Sequence, residues 1–222
     1  YLKRIGLPDN FDSSSAILAQ RIEIKKWFTR SLLKKVFSFM PDGALKPIRE
    51  LIRSHSTDNH FPLQEITERF KGTNRSLLFT DDNISNLLWA KYGQGITVVI
   101  MSVLYPWADL KNHFHIDHMY PKSKFTRKQL KKHGLTDDQV EFAIKNHNYL
   151  GNLQLLEAIP NIEKSNCDFD LWLQDTIPLE ALADYKAKHL IPPNIELTYG
   201  NFYEFLSARE VLITEKLKKE LT

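Results

Sequence analysis

Within the six residues His113 to His118 the chain sets three imidazoles (His113, His115, His118) and the carboxylate of Asp117, and Pro121 follows closely. A single histidine is ordinarily a satisfied core or surface group, but this density points to a site. If residues 114–118 form a strand, successive side chains alternate between faces. Phe114 and Ile116 are then expected to fill a small core while His115 and Asp117 share the other side. His118 follows where the strand leaves for a loop, because Pro121 stops a helix from starting at once, and its imidazole is expected to face solvent or substrate. Asp117 offers a hard oxygen ligand suited to Mg²⁺ or Mn²⁺, and the side-chain carbonyl of Asn161 offers another. A neutral imidazole beside a metal-bound phosphate can take a proton from attacking water while the cation neutralises charge on the phosphoryl oxygens. Lys164, three positions after Asn161, is expected one turn along the same helix face, within reach of a phosphate oxygen.

A basic run adjoins this cluster: Lys122, Lys124, Arg127, Lys128, Lys131 and Lys132, ended by Gly134. Such a run is either a solvated helix face or a track for nucleic-acid phosphates, and its place beside the candidate site favours the second reading.

The elements that must position these groups read mostly as helices. Apolar residues recur at three- and four-residue spacing from Ala16 to Phe39, and the pattern returns at Ala44 to Ser54 and Pro62 to Phe70. Asp81 and Asp82 cap a segment carrying Ile84, Leu87, Leu88 and Trp89. The apolar run Ile96 to Tyr105 suits a buried strand or a buried helix, and its length and helical neighbours favour the helix. Thr136 to Gln139 looks like a helix start, Leu150 to Leu156 a short strand, and Ile159 to Ser165 a short helix. Phe169 to Trp172, Leu179 to Leu190 and Phe202 to Leu217 read as further helices.

The 222 residues are 42% hydrophobic and 26% charged with a net charge of +3, ordinary for a globular chain and only weakly basic. The single cysteine, Cys167, excludes an internal disulfide framework and a cysteine-based zinc cage; it reads as a small packing residue. No run approaches the roughly 18 apolar residues that span a bilayer, so a cytoplasmic protein without a membrane partner is expected. The first residue is Tyr1 rather than Met, which predicts a longer parent chain.

Three blocks in order carry a family resemblance: Asp117-His118-Met119-Tyr120-Pro121-Lys122-Ser123, then Gly151-Asn152-Leu153 with Leu155-Leu156, then Asn161-Ile162-Glu163-Lys164-Ser165. Together they resemble the HNH endonuclease signature in its Asp-His, Asn, Asn form. Variants of this form occur in RNA-guided CRISPR effector nucleases and in GmrSD-type modification-dependent restriction endonucleases; the segment Trp27 to Leu33 also resembles GmrSD-like proteins. The resemblance implies a ββα-metal finger holding one divalent cation, Mg²⁺ or Mn²⁺, with Asp117 and Asn161 as metal ligands and His118 as general base. Asn152 would brace the loop that carries the base, and Lys164 would complete the catalytic set. His115 has no firm counterpart and His113 lies outside the motif. The spacer from Ser123 to Tyr149 is longer and more basic than in minimal units. Cys-x-x-Cys knuckles are missing, so surrounding helices must brace the finger.

The expectation is therefore a mainly α (α+β) chain. A helical scaffold (1–112) precedes an HNH nuclease core (113–166) with a basic insertion (122–149), and C-terminal helices (167–222) pack on that core. The expected function is hydrolysis or nicking of DNA, with duplex DNA as partner, as the effector part of a restriction or phage-defence protein. Recognition would come from a nucleotide-linked sensor domain upstream of Tyr1. Two rival readings stand beside it. The string His113-x-His115-x-Asp117-His118 also fits the zinc signature of metallo-β-lactamase-fold hydrolases, although helices rather than strands precede it here; and a helical DNA-binding module could retain a catalytically inactive finger.

Overall fold

The computed structural model describes residues 1–6, 9–54, 60–108, 114–157, 160, 162 and 164–222. His113 and Asn161 lie outside the described residues. Helices dominate, and the described strands form one two-stranded antiparallel sheet. Among the described residues no helix is long and apolar enough to cross a membrane. The chain divides into two compact units, Tyr1–Phe79 with Leu221, and Thr80–Glu220 with Thr222.

The first unit holds α1 (Leu18–Leu33), α2 (Asp42–Ser54) and α3 (Leu63–Phe70). Its core gathers Val36, Ile48, Phe61, Ile66 and Phe70, with Trp27 and Phe37 packed against them. The helix expected to run from Ala16 to Phe39 stops at Leu33, because Lys35 takes a left-handed φ of 52°. The Val36 amide donates to the Ser31 carbonyl at 3.0 Å and the Lys35 amide to that of Leu32 at 3.1 Å. That is a Schellman ending with lysine where glycine is usual, so composition gave no sign of it.

The second unit begins with α4 (Asp81–Leu87) and α5 (Gly95–Leu104), so these helices belong to the unit that holds the sheet. Then come β1 (Phe114–His118), α6 (Arg127–Lys132), α7 (Asp137–Asn146) and β2 (Leu153–Glu157). Residues 160, 162 and 164 are helical, and α8 (Phe169–Thr176), α9 (Leu179–Lys188) and α10 (Phe202–Leu221) follow. Thr80 with Asn83 and Thr136 with Gln139 form capping boxes, each side chain serving the other's backbone amide. Asp81 and Asp82 thus sit in the first turn, not at the cap. In α5 the buried Thr97, Ile100, Met101 and Leu104 recur at helical spacing while Val98 is exposed, which settles the run as a helix despite its β-branched residues.

The core of this unit centres on Tyr120, whose ring lies 5.0–5.6 Å from those of Phe169, Tyr199, Phe202 and Phe205. Cys167 packs against the same cluster. Arg209 of α10 is fully buried and acts as a strut: its guanidinium donates to the carbonyls of Gly151 (2.7 Å), Leu190 (3.1 Å) and His189 (3.2 Å) and to the Tyr105 hydroxyl (3.3 Å). It thereby fixes the 3₁₀ turn Leu150–Asn152 from behind, at the point where β2 begins.

Candidate active site

β1 and β2 pair antiparallel with Asp117 opposite Gln154 and His118 opposite Leu153. The strand includes His118, so alternation sends the Asp117 and His118 side chains to opposite faces of the strand end. His115 is exposed, while Phe114 and Ile116 are half-buried.

On one face, Asp117 is gripped from two sides. Lys164 Nζ lies 2.9 Å from Asp117 Oδ2, and Gln154 Nε2 donates to the same oxygen at 3.3 Å. The Lys164 ammonium also donates to the His118 carbonyl at 2.6 Å, and its side chain is 1% exposed. The expectation that Lys164 reaches a phosphate oxygen is corrected here: its donors are spent inward, because a buried ammonium needs a carboxylate and carbonyls for partners. Burial pulls the Lys164 pKa down, and the Asp117 charge pulls it back up.

On the other face, His118 is 6% exposed, so its imidazole is not the solvent-facing group expected. The Tyr92 ring lies 4.6 Å from it, and His147 stacks at 6.3 Å. His118 Nε2 meets Asn148 Oδ1 at 2.9 Å. With the amide oxygen accepting, Nε2 carries the proton and Nδ1 keeps the lone pair that a general base needs. Burial lowers the His118 pKa, partly offset by Asn148 and Asp117, and so favours the neutral form. His147 is also held down by burial; its Nδ1 lies 2.7 Å from the Ile144 carbonyl.

Asn152 ties the two approaches to this site together. Fully buried, it accepts from the Tyr120 amide at 2.9 Å and donates to the carbonyls of Tyr120 (3.1 Å) and His147 (2.9 Å). Its own carbonyl takes the Met119 amide at 2.8 Å. The chain leaving His118 is thus clamped to the chain entering at His147 and Asn148.

The structure therefore gathers Asp117, His118, Asn152 and Lys164. The expected metal ligand Asn161 lies outside the described residues, as does His113. Among the described residues no group of three or more His, Cys, Asp or Glu side chains could hold a metal ion. The basic run forms α6 and its flanks. Arg127 and Lys131 pair with Asp137 at 2.7 and 3.0 Å, and Lys124 with Asp168 at 3.3 Å, whereas Lys122, Lys128 and Lys132 are exposed and have no acidic partner among the described residues. Sequence reading missed Tyr92, Asn148, Gln154 and Arg209. Only Gln154 carried a local signal, a polar residue between Leu153 and Leu155 in a short apolar strand. No protein-family model matches this chain, and no curated protein matches it.

Proposed function

We propose that this chain is a metal-dependent endonuclease of the HNH kind that hydrolyses phosphodiester bonds in DNA. The observation that supports it best is the Asn152 clamp. A fully buried amide ties the backbone just after His118, at Tyr120, to the backbone at His147, next to the Asn148 that bonds the His118 ring. Such rigid support is what a general base needs, since small misplacements cost rate steeply.

By residue type, a carboxylate and an amide oxygen suit a hard divalent cation. Asp117 is a partly exposed carboxylate whose Oδ2 meets Lys164 and Gln154, while Oδ1 takes no hydrogen bond among the described residues. A single carboxylate oxygen and the Asn161 amide would leave positions for water and phosphate, as Mg²⁺ prefers. Bound there, the cation would neutralise charge on the phosphoryl oxygens. His118 Nδ1 takes the proton from the attacking water, and Asn148 holds the ring in the tautomer that frees that nitrogen. Lys164 holds the Asp117 carboxylate and the His118 backbone carbonyl together, while the His118 ring leaves the opposite face of the strand.

The Lys164 to Asp117 ion pair also favours a second reading, a nucleic-acid-binding module without turnover, because the carboxylate is already neutralised. Supercoiled plasmid with Mg²⁺, Mn²⁺, Zn²⁺ or chelator separates the two. Cleavage with Mg²⁺ or Mn²⁺, lost with chelator and reduced roughly 10²- to 10⁴-fold in His118→Asn, is the expected result. Binding without cleavage under every metal favours the inert module, and cleavage with Zn²⁺ alone favours a zinc hydrolase.

A further inference from the structure

We propose that the exposed aromatic loop Trp89–Tyr92 is a stacking platform for an unpaired nucleobase, so that the site beside it acts on single-stranded or locally unpaired nucleic acid rather than on intact duplex. The inference deepens the nuclease reading by naming its substrate class, and it rests on that reading only for the place of the scissile phosphate.

The loop is held outward rather than loosely disposed. The Tyr92 amide donates to the Asn148 carbonyl at 2.9 Å, and the Leu150 amide to that of Ala90 at 2.8 Å. Lys91 bridges to Tyr149, its amide donates to Gln94 Oε1 at 2.9 Å, and its carbonyl takes the Thr97 hydroxyl at 2.6 Å. Trp89 nevertheless leaves 64% of its surface in solvent and Tyr92 47%. A lone exposed aromatic is commonplace, whereas here two stand within four residues on one hydrogen-bonded loop.

Trp89 stands edge-on to Tyr149 at 5.5 Å, and the Lys91 ammonium lies 4.7 Å from the Tyr149 ring. Tyr92 carries the surface to His118, over which its ring lies. Lys122 is exposed four residues after His118, and its charge acts on both His118 and His147. Flat aromatic faces flanked by ammonium groups suit a nucleobase followed by its phosphate. Within a duplex, base faces are hidden by their stacked neighbours, so only a base that is unpaired, flipped or terminal can lie on these rings. A single strand and an unpaired base in a duplex share that chemistry.

The test uses the full chain in chelator, with a fluorescein-labelled 20-nucleotide strand, the corresponding duplex, and that duplex with a three-nucleotide bulge. Anisotropy gives affinity, and tryptophan quenching reports stacking. The strand is expected to bind about tenfold more tightly than the duplex, with the bulge distinguishing an unpaired site from a free strand. Trp89→Ala should lose about tenfold on the strand, the equivalent of roughly 1.4 kcal/mol and typical of one stacked base, but less than twofold on the duplex. Trp89→Phe should retain most of the affinity. Equal affinity for strand and duplex, or equal loss on both in Trp89→Ala, overturns the platform. Adding Mg²⁺ separates the two proposals. Strand preference without cleavage of any substrate refutes the nuclease reading and leaves the platform standing; cleavage without strand preference does the reverse.

Discussion

Replacing Asn152 tests the site's architecture directly. Asn152→Ala removes one acceptor and two donors and strands the Tyr120 amide, the Tyr120 carbonyl and the His147 carbonyl inside the protein. Each buried unpaired group costs about 1–3 kcal/mol, and because the three share one site the total is expected at roughly 3–5 kcal/mol rather than their sum. Asn152→Asp discriminates further. A carboxylate still accepts from the Tyr120 amide but sets negative charge against two carbonyl oxygens, so at pH 7 it should be the less stable variant. Its carboxyl pKa is then raised above the unfolded value near 3.9, so its deficit should shrink as pH falls and a regained proton restores one donor. Urea unfolding at pH 7 and pH 5, followed by both circular dichroism and fluorescence because the chain has two units, measures these differences. A loss below about 0.5 kcal/mol in Asn152→Ala, the range of an ordinary surface change, would refute the clamp.

Lys164→Met leaves Asp117 and the His118 carbonyl without their buried partner and should cost about 3–5 kcal/mol. Adding Asp117→Asn should return part of that loss, and strictly additive effects in the cycle would show that the pair is not coupled. His189 is enclosed by Tyr185, Tyr105 and Trp107, with its pKa depressed to about 3 by burial and by Arg209. Because its folded value lies below the unfolded one, its contribution to stability is intact above pH 6.5 and declines as pH falls toward 3, at up to about 1.4 kcal/mol per pH unit. His189→Gln should therefore lose about 1.6 kcal/mol less than wild type between pH 6.5 and 5, and parallel pH curves for the two proteins would contradict this.

Much of the helical layout was legible in the chain because apolar spacing and caps are local signals. Thr136 with Gln139, and Gly134 closing the basic helix, are written in adjacent residues. The break after Leu33 was not, because the left-handed residue there is lysine and the bond that ends the helix returns from Val36 to Ser31. Trp89 was expected on an amphipathic helix, but α4 ends at Leu87 and the indole stands in solvent.

For the site, the sequence by itself determined which chemistry was on offer: a carboxylate beside an imidazole at a strand end, and a buried-type amide before the second strand. What the tertiary structure alone decided is how those groups are used. His118 is enclosed because Tyr92, twenty-six positions earlier, and Asn148, thirty positions later, close over it. Lys164 turns inward because Asp117 and the His118 carbonyl lie within reach of its ammonium. Partners this distant leave no mark on local spacing. A side chain's type fixes the bonds it can make, but its burial and its partner are set by whichever segment folds against it.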